Sequence, residues 1–184
     1  MRPPCLAGTS GRASRWGFAL CFFAGALATP APAQKTPALP SGARAVLERF
    51  VGTWDVTVTV RRPKPVVVSY TQTAAWVLDH HFVRSETTIR PDGGHEQSMF
   101  GYEPTSRAYP LWVFFSSGFV AYLQRGEWDE ASRTMSWKSA ASDLIQFSNR
   151  CTFDGAATLR CSTQVKDGKG GLALDQDSVA VRRR

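Results

Sequence analysis

The residues able to do chemistry are few, and their spacing withholds most of it. His80 and His81 are neighbours, so on a strand they point to opposite faces and cannot share a ligand. His95 follows Pro91-Asp92-Gly93-Gly94, a turn, and no cysteine or carboxylate stands at metal-ligand spacing beside any of the three histidines. Ser116-Ser117-Gly118 reads as a hairpin turn rather than a nucleophile elbow, which needs Gly-x-Ser-x-Gly. Glu86, Glu96, Glu127 and Asp129 would pair for acid–base work only across strands, and spacing does not reveal that. The chain is therefore read as carrying no catalytic set, no metal and no cofactor, and as leaning away from enzymatic function.

The remaining reactive groups are cysteines, and a leader decides which of them matter. Residues 1–33 hold three arginines and no acid, then the apolar run Trp16 to Thr29, then Ala31-Pro32-Ala33. Basic, apolar, then small-x-small is the pattern of a secretory signal peptide, so export to the periplasm or beyond is expected. The apolar run is shorter than the about 20 residues a span requires, and no membrane span is expected once the leader is removed. Removal takes Cys5 and Cys21 and leaves Cys151 and Cys161. These flank Asp154-Gly155-Ala156-Ala157, a hairpin turn, symmetrically about residue 156, which suits opposed positions on adjacent antiparallel strands and a structural disulfide.

Without the leader, 19 basic residues face 15 acidic ones along the chain. That surplus is a soluble surface rather than a nucleic-acid stripe, and no nucleic-acid partner is expected. Residues 34–40 read as a proline-bearing linker and 41–184 as one domain.

What must position any site is a sheet. From Trp54 to Arg61 apolar and polar residues alternate without a break, which predicts a strand with one dry face and one wet face. Ser41 is placed as the N-cap of a short helix running to Phe50 with Val46, Leu47 and Phe50 as its buried stripe. Further alternating runs follow at 66–78, 82–90, 95–102, 109–116, 119–128, 134–139, 144–153, 158–166 and 172–183, separated by Pro, Gly, Asp and Ser turns. The predicted fold is all-β: an antiparallel up-and-down barrel of about ten strands preceded by one short helix. Closure removes sheet edges, and a barrel of that width leaves a lumen.

Three short motifs add a resemblance. Gly52-Thr53-Trp54 at the mouth of the first strand looks like the Gly-x-Trp signature of lipocalin-like barrels. Gly101-Tyr102-Glu103-Pro104 and Gly126-Glu127-Trp128-Asp129 are similar to segments of one exported bacterial family, the domain-of-unknown-function family fifteen-seventy-nine, with nitrobindin-like relatives. The resemblance covers roughly residues 44 to 183. It implies that Trp54 plugs one barrel end beside Gly52, with Arg182 or Arg183 stacked on it; if Val179 and Val181 point inward, strand parity selects Arg183. Haem, which nitrobindin-like relatives would imply, wants a histidine on the late strands, and none follows His95.

Trp76, Tyr102, Trp112, Phe114, Tyr122 and Trp137 are the candidates to line the lumen and touch a small apolar or amphipathic ligand. Arg84 is expected outside because Val83 and Ile89 make the drier face of its strand; pointed inward, it would meet a carboxylate with Tyr102 or Tyr122 assisting. The run Leu111-Trp112-Val113-Phe114-Phe115 breaks alternation, so both faces of that strand need cover. The outer face is expected to meet either the N-terminal helix or a second copy of the chain, with Phe115 as the position to test dimerisation.

Overall fold

The computed structural model describes residues 37–184, so the signal-peptide reading of 1–33 and the first part of the linker lie outside the described residues. The chain begins irregularly at Pro37 to Pro40 and enters helix α1, Ser41–Glu48. Ala43, Val46 and Leu47, three and four residues apart, form its buried stripe. Pro40, not Ser41, is the N-cap, and no side chain caps the helix. Its first turn closes instead through the Arg44 amide on the Pro40 carbonyl at 2.9 Å. Its last turn tightens as Arg49 and Phe50 donate back to Val46 and Leu47.

Eleven antiparallel strands follow: β1 Gly52–Arg62, β2 Val66–Val77, β3 Phe82–Thr87, β4 Glu96–Gly101, β5 Leu111–Phe115, β6 Val120–Leu123, β7 Arg125–Asp129, β8 Thr134–Lys138, β9 Gln146–Asp154, β10 Thr158–Lys166 and β11 Leu172–Arg182. They form one sheet in the order β6-β5-β4-β3-β2-β1-β11-β10-β9-β8-β7, so every neighbour is a sequence neighbour except that β1 pairs with β11. That first-to-last ladder, from Trp54 opposite Arg182 to Arg62 opposite Asp175, rolls the meander into a barrel. The expected strand over 119–128 breaks at Gln124 into β6 and β7, which is why eleven strands stand where ten were read.

β6 and β7 lie at the two edges of the sheet, and no ladder joins them among the described residues. The seam is closed locally. The Tyr109 amide donates to the Gly126 carbonyl at 2.9 Å, the Trp137 indole donates to the Tyr109 carbonyl at 2.8 Å, and Phe119 stacks on Phe147 with ring centres 5.9 Å apart. A Cβ on Gly126 would stand 2.2 Å from the Tyr109 carbonyl oxygen, and a peptide group whose oxygen accepts from the Trp137 indole, on a residue whose amide donates to Gly126, has little freedom to move away. Gly126→Ala is expected to lower stability by about 1–3 kcal/mol, the range for overpacking, in urea denaturation. Full stability in that variant would mean the seam is not a packed joint.

Helix α1 corks one end. Leu47 is fully buried, and Phe50 sits edge-on to Phe100 and Phe153 at 5.1 and 4.9 Å between centres. Trp54, at 2 % exposure, lies beneath it and donates its indole N–H to the Phe50 carbonyl at 3.0 Å. Gly52 holds φ +135°, and a side chain there would meet the Arg182 guanidinium, 2.7 Å from an added Cβ. Among the described residues no helix is long and apolar enough to cross a membrane.

Candidate functional site in the barrel lumen

Strand alternation decides what faces inward. Paired residues share a face, so Trp54, Val56, Val58 and Val60 on β1 put Gln72, Tyr70, Val68 and Val66 of β2 on the inside, and Ala180, Ser178 and Gln176 of β11 on the other flank. Continuing round, Ser85 opposes Ser98, Ser98 opposes Val113, and Cys151 opposes Cys161. The result is a lumen with apolar ends and a polar waist.

Its upper chamber, of about 360 Å³, opens at the end away from α1 and is lined by Val60, Val66, Val68, Phe115, Phe147 and Leu174 around the rim. A deeper chamber of about 150 Å³ reaches down to Phe50, Trp54, Phe100 and Trp137. The two share Tyr70, Glu96, Asn149, Thr163 and Gln176, together with Val58, Leu111 and Val113. The polar groups at this waist point into the cavity, so the interior is shaped to accept hydrogen bonds as well as apolar surface.

Glu96 is the one carboxylate at the waist. The Arg90 guanidinium approaches it at 3.5 Å, at the long limit of a hydrogen bond, and at the same time contacts Asp92 at 3.4 Å. Burial raises the Glu96 pKa above the usual carboxylate value, against the pull of Arg90. Burial likewise raises Tyr70, with the Glu96 charge adding to it and Arg90 opposing. Asp92 moves the other way: the Gly94 amide, 2.9 Å away, and the Arg90 charge hold it ionised. Glu96 keeps 27 % of its side-chain surface accessible, and that surface faces the lumen.

The sequence candidates divide. Trp137 lines the deeper chamber, with its ring 3 % exposed. Trp76 lies at the corked end, where its indole donates to Glu48 at 2.6 Å and Arg44 covers its ring. Tyr102 packs against Tyr109 at 5.1 Å in the same region, outside both chambers. Trp112, Phe114 and Tyr122 point outward: Trp112 stacks on Tyr122 at 5.0 Å, and Phe114 and Tyr122 are each 41 % exposed. The alternation of β5 puts Leu111, Val113 and Phe115 inside, so Phe115 is a lumen residue and not the surface probe expected of it.

Arg84 is outside and exposed, as its neighbour Val83, fully buried, required. Ile89 does not share that dry face; it lies past the end of β3 and is 74 % exposed. At the cork, Ala180 rather than Val179 or Val181 faces inward, so parity selects Arg182 and not Arg183. The Arg182 guanidinium lies 4.2 Å from the Trp54 ring centre and donates to the Arg49 carbonyl at 2.7 Å and to that of Val51. Arg183 turns outward to Asp55 at 2.6 Å. Cys151 and Cys161 are bonded as directly opposed residues of β9 and β10, with Cα atoms 4.1 Å apart.

Tyr70 and Arg90 were absent from the sequence candidates, and Glu96 was named there only as one of four acids, not as a lumen residue. Tyr70 was within reach, since Val66, Val68, Tyr70, Gln72, Ala74 and Trp76 alternate. Glu96 was not, because Glu96-Gln97-Ser98-Met99 shows no contrast between faces.

The profile of the family described as "Protein of unknown function (DUF1579)" matches residues 39–170. The chain belongs to this family. In a DUF1579 barrel the motifs that carried the resemblance prove to be closure and turn devices. Gly52-Thr53-Trp54 lies beneath the α1 cork and ties it to Arg182. Glu103 accepts the Thr105 and Ser106 amides at 3.0 and 2.6 Å, and the Ser106 hydroxyl together with these amides holds its pKa down at about 2. Asp129 accepts the Ala131 and Ser132 amides at 3.0 and 3.3 Å.

Among solved structures, the chain is similar to Rv2717c from M. tuberculosis, at 17% identity and a TM-score of 0.59 over 80% of this chain and 100% of that one. It is also similar to the S-type phycobiliprotein lyase CPES from Guillardia theta, at 15% identity and a TM-score of 0.52 over 80% and 99%. These likenesses establish the barrel fold. No curated protein matches the sequence.

Proposed function

We propose that this DUF1579 barrel is an exported binding protein that holds a small apolar or amphipathic molecule in its lumen. The observation that carries the reading is the upper chamber. At about 360 Å³ it falls in the size range of small-molecule pockets, with an apolar wall and a few convergent polar groups. One mouth and one corked end make it a container rather than a channel. Fold likeness to a phycobiliprotein lyase is compatible with this but selects no ligand. Export rests on the leader and on the Cys151–Cys161 bond, which persists in oxidising compartments.

The test is uptake of the uncharged dye N-phenylnaphthylamine by the purified mature chain. One dye per chain is expected, with affinity falling at least tenfold in Thr163→Phe, whose ring would fill the waist while circular dichroism stays unchanged. Absence of uptake, together with native mass spectra of a bare chain, would remove the reading.

A second reading concerns the outer face of β5 and β6. Trp112, Phe114, Val120 and Tyr122 form an apolar patch with Val120 at 49 % exposure, and α1 corks the barrel end instead of covering it. A two-fold contact with a second copy would bury this patch against itself. Sedimentation should then show a dimer that Phe114→Glu converts to monomer. A wild-type chain that stays monomeric at its highest attainable concentration excludes the dimer.

A further inference from the structure

Building on the lumen-binding reading, we infer that Glu96 makes the barrel selective for ligands carrying a cationic, N–H-donating head: amphipathic amines rather than fatty acids or alcohols. The charges facing the lumen are few enough to count. Among the described residues, Tyr70 from β2, Arg90 and Asp92 from the segment between β3 and β4, and Glu96 from β4 are the titratable side chains that line it. Two carboxylates share one guanidinium, so the cavity is short of one positive charge whenever Glu96 is ionised.

The shares are unequal. Asp92 is held by the Gly94 amide at 2.9 Å in addition to Arg90, and stays charged in its turn. Glu96 has only the Arg90 contact at 3.5 Å among the described side chains, although an ionised carboxylate offers about four acceptor sites. Its backbone is fixed by Thr87: the Glu96 amide donates to the Thr87 hydroxyl at 2.9 Å. Its carboxyl is therefore held at the junction of the two chambers, with acceptor capacity turned into the cavity.

An ammonium group placed there would neutralise the surplus charge and fill the unused acceptor sites with charge-assisted hydrogen bonds. The Asn149 and Gln176 side chains stand on the opposite wall to take its remaining donors. Its hydrocarbon part would lie in the upper chamber against Val60, Val68 and Phe147. A carboxylate ligand would instead add a third negative charge around Arg90, and an alcohol would leave Glu96 to be buried without a cation. Burial raises the Glu96 pKa against the pull of Arg90, so a second cation beside the carboxylate would favour its ionised form.

Displacement of bound N-phenylnaphthylamine by decylamine, decanol and decanoate separates the outcomes. Decylamine is expected to compete at least tenfold better than either of the others. Glu96→Gln should bring the three probes to within about threefold of one another. The preference should also fade as pH falls through the Glu96 titration, since the protonated acid attracts no cation, while dye binding persists. Equal competition by the three probes, or a preference for decanoate, overturns the selectivity but leaves the lumen-binding reading intact. No dye binding at all defeats the lumen-binding reading instead.

Discussion

Replacing Trp54 with alanine is expected to cost about 3–5 kcal/mol, a large fraction of the stability of a domain this size. Three losses coincide there. The indole is 2 % exposed, so its removal leaves a cavity under α1. The Phe50 carbonyl loses the N–H that satisfies it at 3.0 Å. The Arg182 guanidinium, 4.2 Å from the ring centre, loses the aromatic face it covers while remaining tied to the Arg49 and Val51 carbonyls. Because the same residues join helix, first strand and last strand, the cork and the barrel closure should loosen together. Guanidinium denaturation checks this, with Trp112→Ala as control. That ring lies on the outer face, and its loss should cost well under half as much. Equal losses in the two variants would deny Trp54 its role.

Removing the Cys151–Cys161 bond is expected to cost about 2–3 kcal/mol. The bridge spans 10 residues of sequence, and closing a loop of that size in the unfolded chain has an entropy of this order. The bonded pair stands directly opposed across β9 and β10 and faces the deeper chamber, so the ladder itself keeps the register without it. A Cys151→Ala/Cys161→Ala variant should therefore keep its secondary structure and dye binding while its denaturation midpoint falls. Adding dithiothreitol to the wild type should reproduce the fall. A variant as stable as the wild type would show that the bridge adds nothing to the hairpin. A variant that fails to form the barrel would show that the bridge does more than constrain the unfolded chain.

The family motifs illustrate why fold was easier to read than site. Glu103 and Asp129 act through their own neighbours in sequence, and Trp54 bonds Phe50 four residues back, so part of each motif's work is local and visible. The lumen is not local. Glu96, Tyr70 and Gln176 come from β4, β2 and β11, and only the ladders that bring those strands together place them round one waist. Aromatic richness was a poor guide for the same reason. Trp112 and Tyr122 are cross-strand partners on the wrong face, and a strand apolar on both sides gives no internal sign of which side is dry.

Alternation, turn residues and paired cysteines by themselves determined that this chain forms an antiparallel up-and-down barrel behind a short helix, because each is a contact between residues close in sequence. Tertiary structure alone decided that Ala180 faces inward, so that Arg182 rather than Arg183 covers Trp54. It also decided that Arg90 and Glu96 meet inside the lumen and that the outer aromatics stay outside. Those outcomes depend on the register between strands distant in sequence, and a shift of one residue would have exchanged every inward side chain for its neighbour.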